Sequence, residues 1–318
     1  MAPPIRIGIS ACLLGQEVRF DGGHKRDAFL MDVLGKHVEW VPVCPEVELG
    51  MGTPRETLRL LRDNGTTRMV TTRTGVDYTG PMNSWSKQRV AELARADLDG
   101  YVLKKDSPSC GMERVKIFAG SGPAVRNGRG LFASVLLAAL PLLPVEEEGR
   151  LTDPSLRENF IERVFAYRRL KDVFAGRWSM GSLVEFHTAH KMSLLARSTT
   201  AYRELGRLVA DGAKRPRAEV RAGYEQLFMK TLALPATVRR HINVLMHMAR
   251  HLKTRLDETS RRELVESIDD YRAGVVPLVV PLTLIRHHAR VHDVKYLAGQ
   301  TYLLPDPLEV LTRKTSTI

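Results

Sequence analysis

The chain has 318 residues, 43% of them hydrophobic and 6% aromatic, enough apolar material for about two domains at ~100–200 residues each. Its sequence holds no apolar run of the ~18 residues that a membrane-spanning helix needs, and three cysteines are too few, and odd in number, for a disulfide framework. The formal net charge is +12, which points away from an acidic, self-solvating chain and toward a polyanionic partner.

Met1-Ala2-Pro3-Pro4 leads directly into an expected strand, Ile5 to Ser10, so no leader segment is read and a reducing, cytoplasmic location is expected. That strand runs into Ala11-Cys12. Phe20-Asp21-Gly22-Gly23-His24 reads as a turn, and residues 28–34 as a short helix. A second β-like run, His37 to Val43, ends in Cys44; Pro45 stops it, having no N–H for a ladder, and Glu46 follows. Gly50, Gly52 and Pro54 mark a loop that carries Arg55. Strands are expected at residues 68–72, 100–103 and 115–118, and helices at 84–96 and 132–140. Gly120, Gly122, Gly128 and Gly130 mark a flexible loop. This alternation predicts an α/β N-terminal domain with a mostly parallel sheet over residues 1–150.

Asp153-Pro154 has the form of an N-cap followed by proline at the first helical position. Helical periodicity then fills residues 155–174, 179–197, 200–210, 217–232, 236–256, 257–272 and 281–291. An all-α C-terminal domain is expected over residues 151–318. The charge divides unevenly: residues 1–152 carry 20 Lys+Arg against 18 Asp+Glu, and residues 153–318 carry 28 against 18. Eight of the ten histidines lie in the second part. His187, His190 and Lys191 would share one helix face. With Arg168, Arg169, Arg239, Arg240, Arg286 and Arg290 they are the candidates for an RNA-binding track, each also readable as a solvated helix face.

All three cysteines follow expected strands: Cys12, Cys44 and Cys110, the last in Asp106-Ser107-Pro108-Ser109-Cys110-Gly111. In a parallel sheet the carboxyl ends of the strands share one edge, where ligands bind. Intervals of 32 and 66 residues lack the close pairs typical of zinc sites. Three thiolates on an iron–sulfur cluster would leave one iron open to a ligand from outside. Three buried, inert thiols are the plainer alternative.

Ser10-Ala11-Cys12-Leu13-Leu14-Gly15 with Asp21-Gly22, then Val43-Cys44-Pro45-Glu46, then Ser107-Pro108-Ser109-Cys110-Gly111 resemble the three signature blocks of the TudS thiouracil desulfidase family. The second half resembles the YbgA-type helical domain, and the combination is similar to the desulfidases that convert 4-thiouridine in tRNA to uridine. The resemblance implies a 4Fe-4S cluster on Cys12, Cys44 and Cys110, and hydrolytic, non-redox removal of sulfur as hydrosulfide. It places the catalytic glutamate on Glu46 and the catalytic serine on Ser107, with Ser109 as the other serine in reach. The partners it implies are tRNA and thiolated pyrimidine nucleotides, with no membrane. Asp21, Gly22, Arg55, Lys104 and Ser109 are the candidates for substrate binding; Gly23, Ser86 and Lys87 are weaker ones. Two other readings remain at this point: a salvage enzyme for free thiouracil or 4-thiouridine monophosphate, and a metal-containing nucleic-acid-binding regulator.

Overall fold

A computed structural model of the chain describes residues 4–63, 65–119 and 123–303. Gly120 and Gly122 of the expected glycine loop lie outside the described residues. The chain divides into two compact units that part between Arg168 and Arg169.

The first unit holds two four-stranded sheets. The first sheet has the order β2-β1-β5-β8, from β1 Ile5–Ser10, β2 Val38–Val43, β5 Gly100–Leu103 and β8 Val145–Glu147. Every neighbouring pair in it is parallel. The second sheet, β4-β3-β6-β7, is mixed: β3 Leu58–Asp63 runs antiparallel to β4 Thr66–Thr71 and parallel to β6 Val115–Phe118, and β7 Val125–Gly128 runs antiparallel to β6. Cys44 opens a single helical turn, α1 Pro45–Glu48, with Pro45 at its first position. The longer α2 Thr79–Arg95 and α3 Leu131–Ala139 close the apolar faces. Val90 and Leu93 of α2 and Phe132 and Leu136 of α3 pack on Val43, Tyr101, Leu103 and Val145 of the parallel sheet. Met82 of α2 packs with Leu60, Met69, Val115 and Ile117 of the mixed sheet.

The α/β class with a mostly parallel sheet is observed, with additions. Residues 58–63 and 145–147 form strands where none was expected, and the glycine loop contains β7. The helix expected at 28–34 is a wide turn, Phe29–Val33, followed by a tight 3₁₀ turn, Leu34–Lys36.

The helices that follow are α4 Pro154–Phe174, α5 Met180–Ala189, α6 Lys191–Arg197, α7 Thr199–Ala210, α8 Arg217–Leu232, α9 Val238–Leu252, α10 Glu258–Ala273, α11 Val279–Val291 and α12 Lys295–Ala298. The boundary between the two compact units falls within α4. In α9, Ile242, Leu245, Met248 and Leu252 make a buried stripe at helical spacing, packed with Leu264, Ile268 and Ile285. The single helix expected over 179–197 is broken at His190, which caps α5 and precedes α6. No helix among the described residues is long and apolar enough to cross a membrane.

Candidate active site

The order β2-β1-β5 places three carboxyl ends side by side. In register, Ser10 faces Val43 and Ile9 faces Val102, so the chain leaves all three strands at one level. Cys12 lies in the 3₁₀ turn after β1, Cys44 immediately after β2, and Cys110 at the end of the loop after β5. All three line one cavity of ≈ 330 Å³, together with Glu46, Arg55, Lys104, Ser107 and Ser109. The convergence expected from the repeated strand–cysteine pattern is therefore present.

The loop that carries Cys110 is held closely. Ser107 Oγ accepts the backbone N–H of Cys110 at 3.1 Å and of Ser109 at 3.3 Å. Gly130 backs the loop: a Cβ there would lie 2.4 Å from Ser109 O and 2.9 Å from Cys110 N, so only glycine fits. Glu147 of β8 takes the Met112 N–H at 2.7 Å. The next residue, Glu148, takes the Lys105 N–H at 2.8 Å and the Lys104 ammonium at 2.5 Å. Three consecutive glutamates, two on β8 and one just past it, are thus accounted for by donors, Glu146 pairing with Arg150 at 2.7 Å.

Glu46 projects from α1 into the cavity. Its Oε1 accepts Ser109 Oγ–H at 2.7 Å, and its Oε2 accepts Arg55 Nε–H at 2.9 Å as well as a second, short contact from Arg55 Nη2. The pair is secluded, with 5% of the Arg55 side chain and 15% of the Glu46 side chain exposed. Arg55 also donates to Val18 O at 3.0 Å and Gly52 O at 2.9 Å. Glu48, the other carboxylate of the turn, is structural: it accepts the Cys44 N–H at 3.1 Å and pairs with Arg89 at 3.0 Å.

Burial pushes the thiols up. Cys12 is raised to about 11 by desolvation, against which the nearby Lys104 cation acts in the lowering direction. Desolvation also raises Cys44 and, more strongly, the buried Cys110. Burial thus favours the neutral thiol over the thiolate at all three positions. Among the described residues no three His, Cys, Asp or Glu side chains are close enough to share one metal ion. The donor set, three thiols with no competing histidine on the cavity wall, suits iron–sulfur ligation.

Of the expected substrate contacts, Arg55, Lys104 and Ser109 line the cavity, whereas Asp21 and Gly22 do not. Asp21 is committed to its own turn, accepting the Gly23 N–H at 3.1 Å and pairing with Arg19 at 3.3 Å. Gly22 supplies the left-handed residue of that turn, φ +76°. Ser86 is buried in α2 and Lys87 exposed on it, both outside the cavity wall. Arg19, Lys25 and Lys105 do line the cavity. The sequence reading missed them because isolated cations in loops look like any solvated residue.

The expected RNA track is divided by burial. Arg239, Arg240 and Arg290 are exposed, and Arg286 and Lys191 partly so. His187 and His190 are buried, which removes them from any surface track. His187 Nδ1 lies 3.1 Å from Tyr224 Oη, and its ring stacks on Tyr202 with centroids 5.2 Å apart. His190 donates from Nδ1 to Phe186 O at 2.9 Å and accepts Arg169 Nε–H at 3.3 Å, an arrangement that fixes it as the neutral Nδ1–H tautomer. Arg168 lies 3.3 Å from the fully buried Asp99. Asp99 also accepts the Arg6 N–H at 2.8 Å, so Arg168 is committed to a buried carboxylate rather than to an open surface.

Residues 7–148 match the family described as 2-thiouracil desulfurase, and residues 191–307 match the family described as protein of unknown function DUF1722. The chain is similar to the uncharacterized protein YbgA of Escherichia coli (strain K12), 35% identical over 141 residues that make up 44% of this chain and 83% of that protein. It is also similar to the uncharacterized protein YbbK of Bacillus subtilis (strain 168), 29% identical over 137 residues, 41% of this chain and 89% of the other. Among solved structures, the 4Fe-4S-dependent thiouracil desulfidase TudS matches at 31% sequence identity with a TM-score of 0.37, over 46% of this chain and 93% of that one.

Proposed function

From the premise that this chain belongs to the family of the Escherichia coli protein YbgA and carries a 2-thiouracil desulfurase domain, we propose that it converts 4-thiouridine in tRNA to uridine at a 4Fe-4S cluster. Cys12, Cys44 and Cys110 would hold the cluster. The observation that carries this reading is the single cavity lined by those three thiols, Glu46 and Ser109 at the carboxyl edge of the parallel sheet. When bound, a cluster with three protein ligands supplies an open iron, a Lewis acid that makes a thiocarbonyl sulfur a better leaving group.

The residues of the chain do the rest. Water adds to the ring carbon and gives up a proton. Glu46, secluded and within the cavity, is the general base for that proton. Sulfur departs as hydrosulfide, so oxygen replaces sulfur with no electron transferred. Lys104 sets a positive charge beside Cys12, where thiolate charge gathers. The basic second half supplies docking for the polyanion, with Arg239, Arg240, Arg286 and Arg290 as the contacts to phosphate. A thiolated base within a folded tRNA would leave its stack to enter the cavity.

The test is anaerobic purification with iron and sulfide analysis, then incubation with thiolated tRNA while the absorbance band of the thiobase is followed. Loss of the band with release of hydrosulfide is expected from protein holding about four irons per chain. A protein that carries the cluster and leaves tRNA untouched would overturn the tRNA reading.

A second reading has its own observation. Arg19, Lys25 and Lys105 on the wall of a ≈ 330 Å³ cavity suit a single nucleoside monophosphate. Under that reading 4-thiouridine monophosphate or free thiouracil reacts and thiolated tRNA does not.

A further inference from the structure

Both carboxylate oxygens of Glu46 are committed to different partners. Arg55 occupies Oε2 from two nitrogens, and Ser109 Oγ–H occupies Oε1 at 2.7 Å. A serine hydroxyl has one proton, and a carboxylate only accepts. Ser109 Oγ also lies 3.8 Å from Cys110 Sγ, but the carboxylate at 2.7 Å is the closer and charged acceptor, so the proton between Ser107 Oγ and Ser109 Oγ, 2.9 Å apart, comes from Ser107. Ser107 Oγ in turn accepts the N–H groups of Ser109 and Cys110. The donor order is fixed from end to end: backbone of the third cysteine loop, Ser107, Ser109, Glu46. Ser107 has its proton on Ser109 and both acceptor sites on its own loop. Ser109, 1% exposed, is the hydroxyl that touches the carboxylate.

We infer that Ser109, rather than Ser107, is the positioning residue for Glu46, with Arg55 its counterpart on the other oxygen. The inference rests on the desulfidase reading above. Rotation about the terminal torsion of a glutamate is otherwise broad and nearly two-fold. Partners on both oxygens stop it, and the lone pair that stays open on Oε1 keeps one direction. A general base misplaced by ~1 Å loses on the order of 100-fold in rate, so holding it is worth that much. The hydrogen bond also ties the turn after β2 to the loop after β5, two of the three cysteine-bearing segments. In the reaction, one water proton passes to Glu46 as the water oxygen bonds to the ring carbon; the carbon–sulfur bond then breaks, the second water proton moves from the added hydroxyl to sulfur, sulfur leaves with its electron pair as hydrosulfide, and the ring keeps a carbonyl while Glu46 returns its proton to solvent.

The test uses S109A, S109T, E46Q and the double variant S109A/E46Q of the full chain, each with its iron and sulfide content measured. S109A is expected to keep wild-type iron and to lose roughly 10- to 100-fold in kcat with KM within about twofold. S109T is expected to recover most of the loss. In the E46Q background, S109A is expected to change nothing further, because its effect passes through that carboxylate. An unchanged kcat in S109A, or an equal loss in both backgrounds, overturns the inference. If the wild-type protein turns over no thiolated pyrimidine, the desulfidase reading falls separately. The positioning contact is then decided in metal-free protein by urea unfolding of the same four chains. Non-additive costs of S109A and E46Q support it, and additive costs overturn it.

Discussion

Lys104 Nζ lies 2.5 Å from Glu148 Oε1, so the cation beside Cys12 is held from the turn that follows the outermost strand of the parallel sheet. Both side chains are secluded, and Glu148 also takes the Lys105 N–H. This pair fixes where positive charge sits relative to the thiols. Removing the acid in Glu148→Gln leaves the lysine held only by its hydrogen bond to Lys105 O at 3.1 Å. Lys104→Met removes the charge and, with it, the interaction that opposes burial at Cys12. Both variants should bind the cluster on the order of 10- to 100-fold less tightly, the usual cost of losing a partner that supports a metal ligand. Iron retained per chain under chelator challenge measures this. Lys104→Met is expected to lose more than Glu148→Gln.

Glu148 also shows where sequence patterns stop being informative. Three successive glutamates after Val145 read as the polar end of a domain, yet Glu146 and Glu147 complete a buried strand. Their partners, Arg150 and the Met112 N–H, come from elsewhere in the chain, and periodicity carries no trace of them. The strand β7 was hidden for another reason: three of its four residues are exposed, so its ladder is held by backbone bonds rather than by an apolar face. The three cysteines were legible because each follows an apolar strand of a parallel sheet, and such strands end along one edge. The helix break at His190 was not legible. It depends on Arg169 reaching the ring from another helix while the ring bonds back to Phe186 O.

Cys12 should be a slow nucleophile in metal-free protein. Its pKa, raised to about 11 by burial from an ordinary value of 9.0, leaves about 100-fold less thiolate near neutral pH. The sign follows from the acid: a raised thiol pKa means that thiolate appears only as pH climbs. Iodoacetamide alkylation of Cys12, read by peptide mass, should accelerate about tenfold per pH unit from 7 to 10 without levelling. A plateau near pH 9 would mean that the thiol is solvated.

His187 gives the helical unit an acid-sensitive step. Burial, with the Lys191 charge adding to it, depresses this histidine from 6.5 to about 4. Here the unfolded chain binds the proton and the folded chain refuses it. Stability from this residue is therefore complete above pH 6.5 and is lost as pH falls from 6.5 toward 4. The full difference is at most about 3 kcal/mol. Urea midpoints of the helical transition should drop across that window, and His187→Gln should flatten the drop. Equal slopes in the two proteins would place the acid sensitivity elsewhere.

Arginines of the second half separate by what they face, and RNA binding should separate them in the same way. Arg239, Arg240 and Arg290 are exposed and Arg286 partly so, whereas Arg168 serves the buried Asp99. If the exposed group meets phosphates, alanine at each contact lowers the slope of log affinity against log salt by about 0.7–0.9. Filter binding of tRNA between 50 and 200 mM salt, concentrations over which such contacts change affinity by orders of magnitude, reads that slope. Arg168→Ala should leave the slope unchanged and instead destabilise the fold by on the order of 3 kcal/mol, since it removes a cation from beside the buried Asp99 carboxylate. The two readouts cross: a slope change without loss of stability marks a residue on the RNA, and the reverse marks a residue in the frame. If the Arg239 and Arg240 replacements leave the slope as it is, the docking face lies on other cations.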